Sequence, residues 1–180
     1  MNNLIIMGMK HTGKSTQGRR LALFYNMSFI DLDEVIFNQY PTTNTTIREI
    51  YRTEGKEGFL RLEQEAAKSC AKELSEKGNR ILSLGGGTID NPIAMDSLKN
   101  KALSIHLLDS AEVLYERISL HGIPPFLDSE DPYHSFLDIY TRRTKLYTDW
   151  ANITVDIKNK NQDQAFDCIN NRVQEYKNAR

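Results

Sequence analysis

Short apolar runs and longer helical stripes alternate along this chain, and each change of period predicts an element. Leu4 to Met7 is an apolar run ending at Gly8, and Lys14 to Tyr25 is rich in helix formers, so the start reads as strand, loop and helix. Ser28 to Asp31 predicts a second short strand. A helical stretch from Glu34 to about Tyr40 follows, then a polar break over Pro41 to Thr46, where Thr45 or Thr46 can cap a helix reading TIREIYRTE. From Phe59, the residues Leu62, Ala66, Cys70 and Leu74 recur at helical spacing as one buried stripe, which Gly78 ends. Ile81 to Leu84 is a brief buried strand running into Gly85, Gly86 and Gly87. Further on, the pattern predicts a strand over Ala102 to Leu108 and helices over Ala111 to Leu120 and Ser135 to Trp150. A last strand over Ile153 to Ile157 precedes a terminal helix from about Gln162.

Short strands alternating with helices require right-handed crossovers, which gives a parallel sheet covered on both faces, a three-layer α/β fold. The 180 residues suit a single domain spanning 1–180, and no repeat or low-complexity linker divides them. The segment 121–133, with Gly122, Pro124, Pro125, Asp128 and Pro132, is the least structured interior stretch and reads as a lid or a surface loop. A 39% hydrophobic and 26% charged composition is that of a globular chain. No apolar run approaches the ~18 residues that span a bilayer, and the first residues lack the parts of a secretory signal, so a cytoplasmic protein without membrane contact is expected. The formal net charge of −1 removes the broad positive field that nucleic-acid binding uses. Cys70 and Cys168 are too few for a disulfide framework and read as small core residues.

Chemistry enters at the first loop. Gly8, Met9, Lys10, His11, Thr12, Gly13, Lys14 and Ser15 match GxxxxGK[ST], after a predicted strand and opening a predicted helix. Such a loop turns consecutive backbone N–H groups inward as an anion cradle, and the helix N-terminus adds positive partial charge. Lys14 is then placed for the β and γ phosphates of ATP and Ser15 for Mg²⁺, with Thr16 a further phosphate contact. His11 lies in the loop, but no step needs an imidazole there, and it reads as solvent-facing.

A phosphate loop alone covers ATPases, GTPases and kinases. The further order of IDLD with Asp31 and Asp33, GKEGFLRLE from Gly55 to Glu63, LGGG from Leu84 to Gly87, and RRTKLY before the last strand resembles that of shikimate kinases. The resemblance covers nearly the whole chain. It implies a five-stranded parallel sheet in the order 2-3-1-4-5, a lid, and transfer of the γ-phosphoryl of ATP to a hydroxyl of a small cyclic polyol acid, within aromatic amino acid biosynthesis. It also implies that Asp31 orients the magnesium shell and that Asp33 accepts a hydrogen bond from the reacting hydroxyl as base. Helix capping is the alternative for Asp33. By the same resemblance Gly85, Gly86 and Gly87 contact the acid substrate, Arg143 grips its carboxylate, Arg117 stacks on adenine, and the turn after Asp156 wraps the base.

Two positions depart from the family pattern. Where relatives carry GExxFRxxE, Leu60 stands at the arginine that grips the substrate carboxylate; Arg61 is one residue on, a turn of about 100° away. Where relatives show a lid arginine, this chain has Pro124. The expected function is therefore a Mg²⁺- and ATP-dependent kinase of a small hydroxylated molecule, shikimate or a close analogue, acting as a monomer. A nucleotide-binding regulator that has lost turnover, or a kinase for another hydroxylated metabolite, stays open at this point.

Overall fold

The computed structural model describes residues 3–41, 46–120, 122, 127 and 130–179. Five strands, β1 (Asn3–Met7), β2 (Ser28–Asp31), β3 (Arg80–Ser83), β4 (Leu103–Leu108) and β5 (Ile153–Asp156), form one parallel sheet in the order β2-β3-β1-β4-β5. The helices are α1 (Lys14–Tyr25), α2 (Leu32–Gln39), α3 (Ile47–Glu76), α4 (Pro92–Leu98), α5 (Ala111–Ser119), α6 (Pro132–Trp150) and α7 (Gln162–Asn178).

β1 is buried at all five positions because it is central, with β3 on one side and β4 on the other. Its side chains alternate between two cores, as the period of a strand requires. Ile5 and Met7 join Leu32, Ala66, Leu74, Leu114 and Phe136 beneath α2 to α6, whereas Leu4 and Ile6 join Leu21, Ile169 and Val173 beneath α1 and α7. Each of the larger of these fully buried side chains, the leucines, isoleucines, Met7, Val173 and Phe136, stabilises the layer by about 1.5–3 kcal/mol. The register aligns the strand ends: Ile6 lies opposite Ser83, and Ser83 opposite Asp31. The phosphate loop, Asp31 and the glycine turn thus emerge side by side at the carboxyl edge of the sheet, where open α/β sheets bind ligands.

Several boundaries differ from the sequence expectation. The residues read as TIREIYRTE and the stripe from Phe59 form one helix, kinked at Gly55, where φ is 66°. Its cap is Thr46, in a reciprocal capping box with Glu49; Thr45 lies outside the described residues. α2 starts at Leu32 because Asp31 caps it, accepting from the Asp33 N–H, so the cap alternative for Asp33 is replaced by Asp31. α6 begins at Pro132 rather than Ser135, with Asp131 as cap. α4 and the 3-10 turn Thr88–Asp90 before it were not expected; Asn91 caps α4 with Pro92 as its first residue. Cys70 is buried, its thiol pushed up to about 12 by burial, but Cys168 is only partly buried against the second core. Most of the segment 121–133, Pro124 and Pro125 included, lies outside the described residues.

Candidate active site

The phosphate loop owes its path to two glycines. Gly8 has φ 149°, and a Cβ there would stand 2.6 Å from the Leu107 carbonyl oxygen, so only glycine lets the loop leave β1 so close to β4. Gly13, with φ 83°, opens α1. Between them the Met9 carbonyl accepts from the Thr12 hydroxyl at 2.9 Å and the Lys14 ammonium at 2.9 Å. Lys14 is 8% exposed, and burial pulls its pKa down to about 8 against the opposing charges of Asp33 and Asp31. His11 takes φ 66° and is part-buried, and its carbonyl oxygen accepts from Arg117 at 2.9 Å. Arg117 also pairs with the buried Asp109 at 3.0 Å, which straps the loop to the end of β4. Thr16 is exposed on the first turn of α1.

Asp31 and Asp33 take different directions because the strand ends between them. Asp31 Oδ2 accepts from the Ser15 hydroxyl at 2.6 Å, while Oδ1 caps α2. Asp33, on the first turn of α2, reaches the glycine turn. Its carboxyl is raised above the usual range by burial and then by Asp31, with Lys14 and Lys10 pulling the other way.

None of the three consecutive glycines needs a positive φ. Two of them are small because close neighbours press on them, and the third leaves room for an ordinary contact. A Cβ on Gly85 would lie 2.9 Å from Asp33 Oδ1, one on Gly86 2.7 Å from the backbone nitrogen of Lys10, and one on Gly87 3.5 Å from Arg143 Nη2. The turn is the joint where α2, the phosphate loop and α6 meet.

Arg143 and Tyr147, one turn apart on α6, both donate to the Gly86 carbonyl oxygen, at 3.0 and 2.8 Å. The Arg143 side chain is 17% exposed, and its Nε donates to Asp90 Oδ2 at 2.9 Å. Asp90 also receives Arg142 through two hydrogen bonds, at 2.6 and 2.9 Å. Burial would raise the Asp90 carboxyl, but the two arginines outweigh it and hold the carboxyl below its ordinary range. Arg143 is thus locked at Nε and Nη1, and Nη2 makes no hydrogen bond among the described residues. Tyr147 stacks on His106 with centroids 5.1 Å apart, and burial, then the charge of Lys14, lowers that imidazole to about 4.

Glu63 lies behind the turn. It is 3% exposed and accepts from Thr88 Oγ1 at 2.7 Å and Asn91 Nδ2 at 2.9 Å, while Asn91 also donates to the Leu60 carbonyl at 3.0 Å. Both hydrogen-bond partners of this carboxyl are neutral; burial raises its pKa, and those bonds oppose the rise. Arg61 is exposed.

A phosphate cradle joined through a glycine turn to a carboxylate and a locked guanidinium can hold a phosphorylated donor and an anionic acceptor face to face. The family model for shikimate kinase matches residues 10–174. The chain belongs to the shikimate kinase family. It is 32% identical to the shikimate kinase of Thiobacillus denitrificans over 155 residues, 86% of this chain and 81% of the relative. To that of Caldanaerobacter subterraneus subsp. tengcongensis it is 29% identical over 160 residues, 89% of each chain. A solved shikimate kinase from Acinetobacter baumannii, in complex with shikimate, superposes with a TM-score of 0.79 at 27% identity, covering 100% of this chain and 95% of that one. As a shikimate kinase family member the protein is an ATP-dependent small-molecule kinase, and the reading as a regulator without turnover is not favoured. No helix among the described residues is long and apolar enough to cross a membrane.

The structure brings together the phosphate loop, Asp31, Asp33, the three glycines and Arg143, all expected from the sequence. Asp90, Tyr147 as a donor to Gly86, and the Glu63–Thr88–Asn91 set were not expected as parts of the site. Asn91-Pro92 is a helix-start signal that would have located the turn holding Asp90. The arginine partners of Asp90 stand more than fifty residues away along the chain, and no local pattern announces them.

Proposed function

We propose that the protein transfers the γ-phosphoryl group of ATP to a hydroxyl of shikimate. The observation that carries this reading is the glycine turn, which packs beside Asp33 and the phosphate loop and whose Gly86 carbonyl accepts from Arg143. In this reading the loop amides from Gly8 to Ser15 and the Lys14 ammonium hold the phosphates, Thr16 adds a contact at the helix start, and Arg117 lies against adenine. Ser15 and Asp31 present oxygen donors next to each other, which fits Mg²⁺, and they would hold that ion, which supplies charge neutralisation at the phosphate oxygens when bound. Asp33 accepts the proton of the attacking hydroxyl; its raised pKa makes it a better base than a solvated carboxylate. Arg143, held by Asp90 and the Gly86 carbonyl, offers its remaining N–H groups to the acceptor carboxylate. Every side chain invoked comes from this chain, so a monomer suffices, and an ATP-dependent step with two free cysteines suits the cytoplasm.

The test is ATP consumption with Mg²⁺ by the purified protein against shikimate, quinate, gluconate and nucleoside monophosphates, with Lys14→Ala as blank. Turnover on shikimate well above the other acceptors is expected. Turnover on another acceptor, or none with ATP still bound, would replace shikimate in this reading.

A further inference from the structure

The segment that in the family pattern brings an arginine to the reacting phosphoryl group holds no lysine or arginine here, between Arg117 and Arg142. The neighbouring alternatives are turned to other work. Arg61 is exposed, Arg142 is bound bidentately to Asp90, and Arg117 straps the loop to Asp109. Lys10 is placed differently. Its backbone nitrogen and Cα lie 2.7 and 3.1 Å from where a Gly86 Cβ would be, so its side chain starts at the joint between the phosphate loop and the glycine turn. The side chain is exposed and makes no hydrogen bond or ion pair with a described residue, which leaves all three donors for a ligand. Two groups that flank the reaction sit at the same joint: Asp33 Oδ1 lies 2.9 Å from where a Gly85 Cβ would be, and the Lys14 ammonium donates to the carbonyl of Met9, the loop residue before Lys10. An ammonium within electrostatic reach of both stands where the donor phosphates meet the acceptor.

We propose that Lys10 is a further catalytic residue, a second ammonium that contacts the phosphoryl group in transfer and supplies the positive charge that the segment from Arg117 to Arg142 lacks. The assignment rests on the kinase reading above. In the step, the bond between the γ-phosphorus and the β,γ-bridging oxygen breaks and its electron pair leaves with ADP. The acceptor oxygen bonds to phosphorus and its proton passes to Asp33. Lys10 keeps its protons and stabilises the charge on the equatorial oxygens.

The experiment compares Lys10→Ala and Lys10→Arg with the wild type, first by calorimetric binding of Mg²⁺-ATP and Mg²⁺-ADP, then by steady-state kinetics with shikimate. A charge-assisted contact to the γ-phosphoryl predicts that K10A binds ATP about ten-fold more weakly and ADP less than two-fold more weakly, and that K10R restores ATP binding to within about three-fold. The kcat of K10A should fall on the order of a hundred-fold with KM for shikimate little changed. Equal losses for both nucleotides would assign Lys10 to loop structure, and unchanged binding and kcat would remove it from catalysis. A rise confined to KM for shikimate would move it to the acceptor carboxylate; each of these three outcomes overturns the proposal. If the wild type ignores shikimate but K10A still loses ATP selectively over ADP, the acceptor reading fails while the assignment of Lys10 stands.

Discussion

The donor and acceptor halves of this site are built by different means. The donor half is largely local: from Gly8 to Ser15 one loop and one helix start provide the cradle, and longer-range hydrogen bonds, among them Ser15 to Asp31 and Arg117 to the His11 carbonyl, tie it to its neighbours. The acceptor half is assembled from α2, α3, the glycine turn and α6, with Asp33, Glu63, Gly86 and Arg143 spread over more than a hundred residues. A local cradle tolerates little change, because each atom is set by backbone. An assembled pocket can lose one member and keep the rest: with leucine at position 60 the turn behind it keeps its bonds, Asn91 to the Leu60 carbonyl and Thr88 and Asn91 to Glu63.

The largest break in this contrast should come where the halves meet chemically. Asp33→Asn removes the base and is expected to lower kcat ~10²–10⁴-fold with ATP binding nearly unchanged, measured by coupled turnover and by calorimetry. Next, Arg143→Ala touches the acceptor half alone. Loss of a charge-assisted contact should raise KM for the acid acceptor about ten-fold or more and leave KM for ATP alone. Gly86→Ala acts on the joint itself. A Cβ 2.7 Å from the Lys10 nitrogen forces loop and turn apart, at about 1–3 kcal/mol of stability by denaturant titration, with both KM values raised together.

The smallest effect is one of pH. Burial holds Lys14 near 8, so below that pH it is an ammonium and above it the charge is lost. Affinity for ATP should therefore fall as pH rises through about 8, and Lys14→Ala should flatten that limb. Asp33 has the opposite sense. Its raised pKa leaves it protonated as pH falls, so the acid limb of kcat/KM should lie above the ordinary carboxylate range and vanish in Asp33→Asn.

The same contrast governs what was legible in the sequence. The loop and all five strands follow from spacing and period, because their causes lie within a few residues, whereas both aspartates were singled out by the resemblance to shikimate kinases. The glycines stood out in the sequence as contacts of the acid substrate; what the sequence did not show is that two of them are also crowded, Gly85 by Asp33 and Gly86 by the Lys10 backbone. Asp90 looked like an ordinary residue before a helix cap, since its role depends on Arg142 and Arg143 more than fifty residues away. The kink at Gly55 hid the continuity of α3 for a related reason, as the apolar stripe starts only beyond it.

The central claim is that Arg143, locked by Asp90 and the Gly86 carbonyl, carries the recognition of the acceptor's carboxylate in the absence of an arginine at position 60. It is tested most directly by the ratio of kcat/KM for shikimate to that for its uncharged carboxamide, in the wild type and in Arg143→Ala. A ratio of about ten or more in the wild type that collapses toward one in the variant is the predicted result. A ratio already near one in the wild type, or one that Arg143→Ala leaves unchanged, would contradict it.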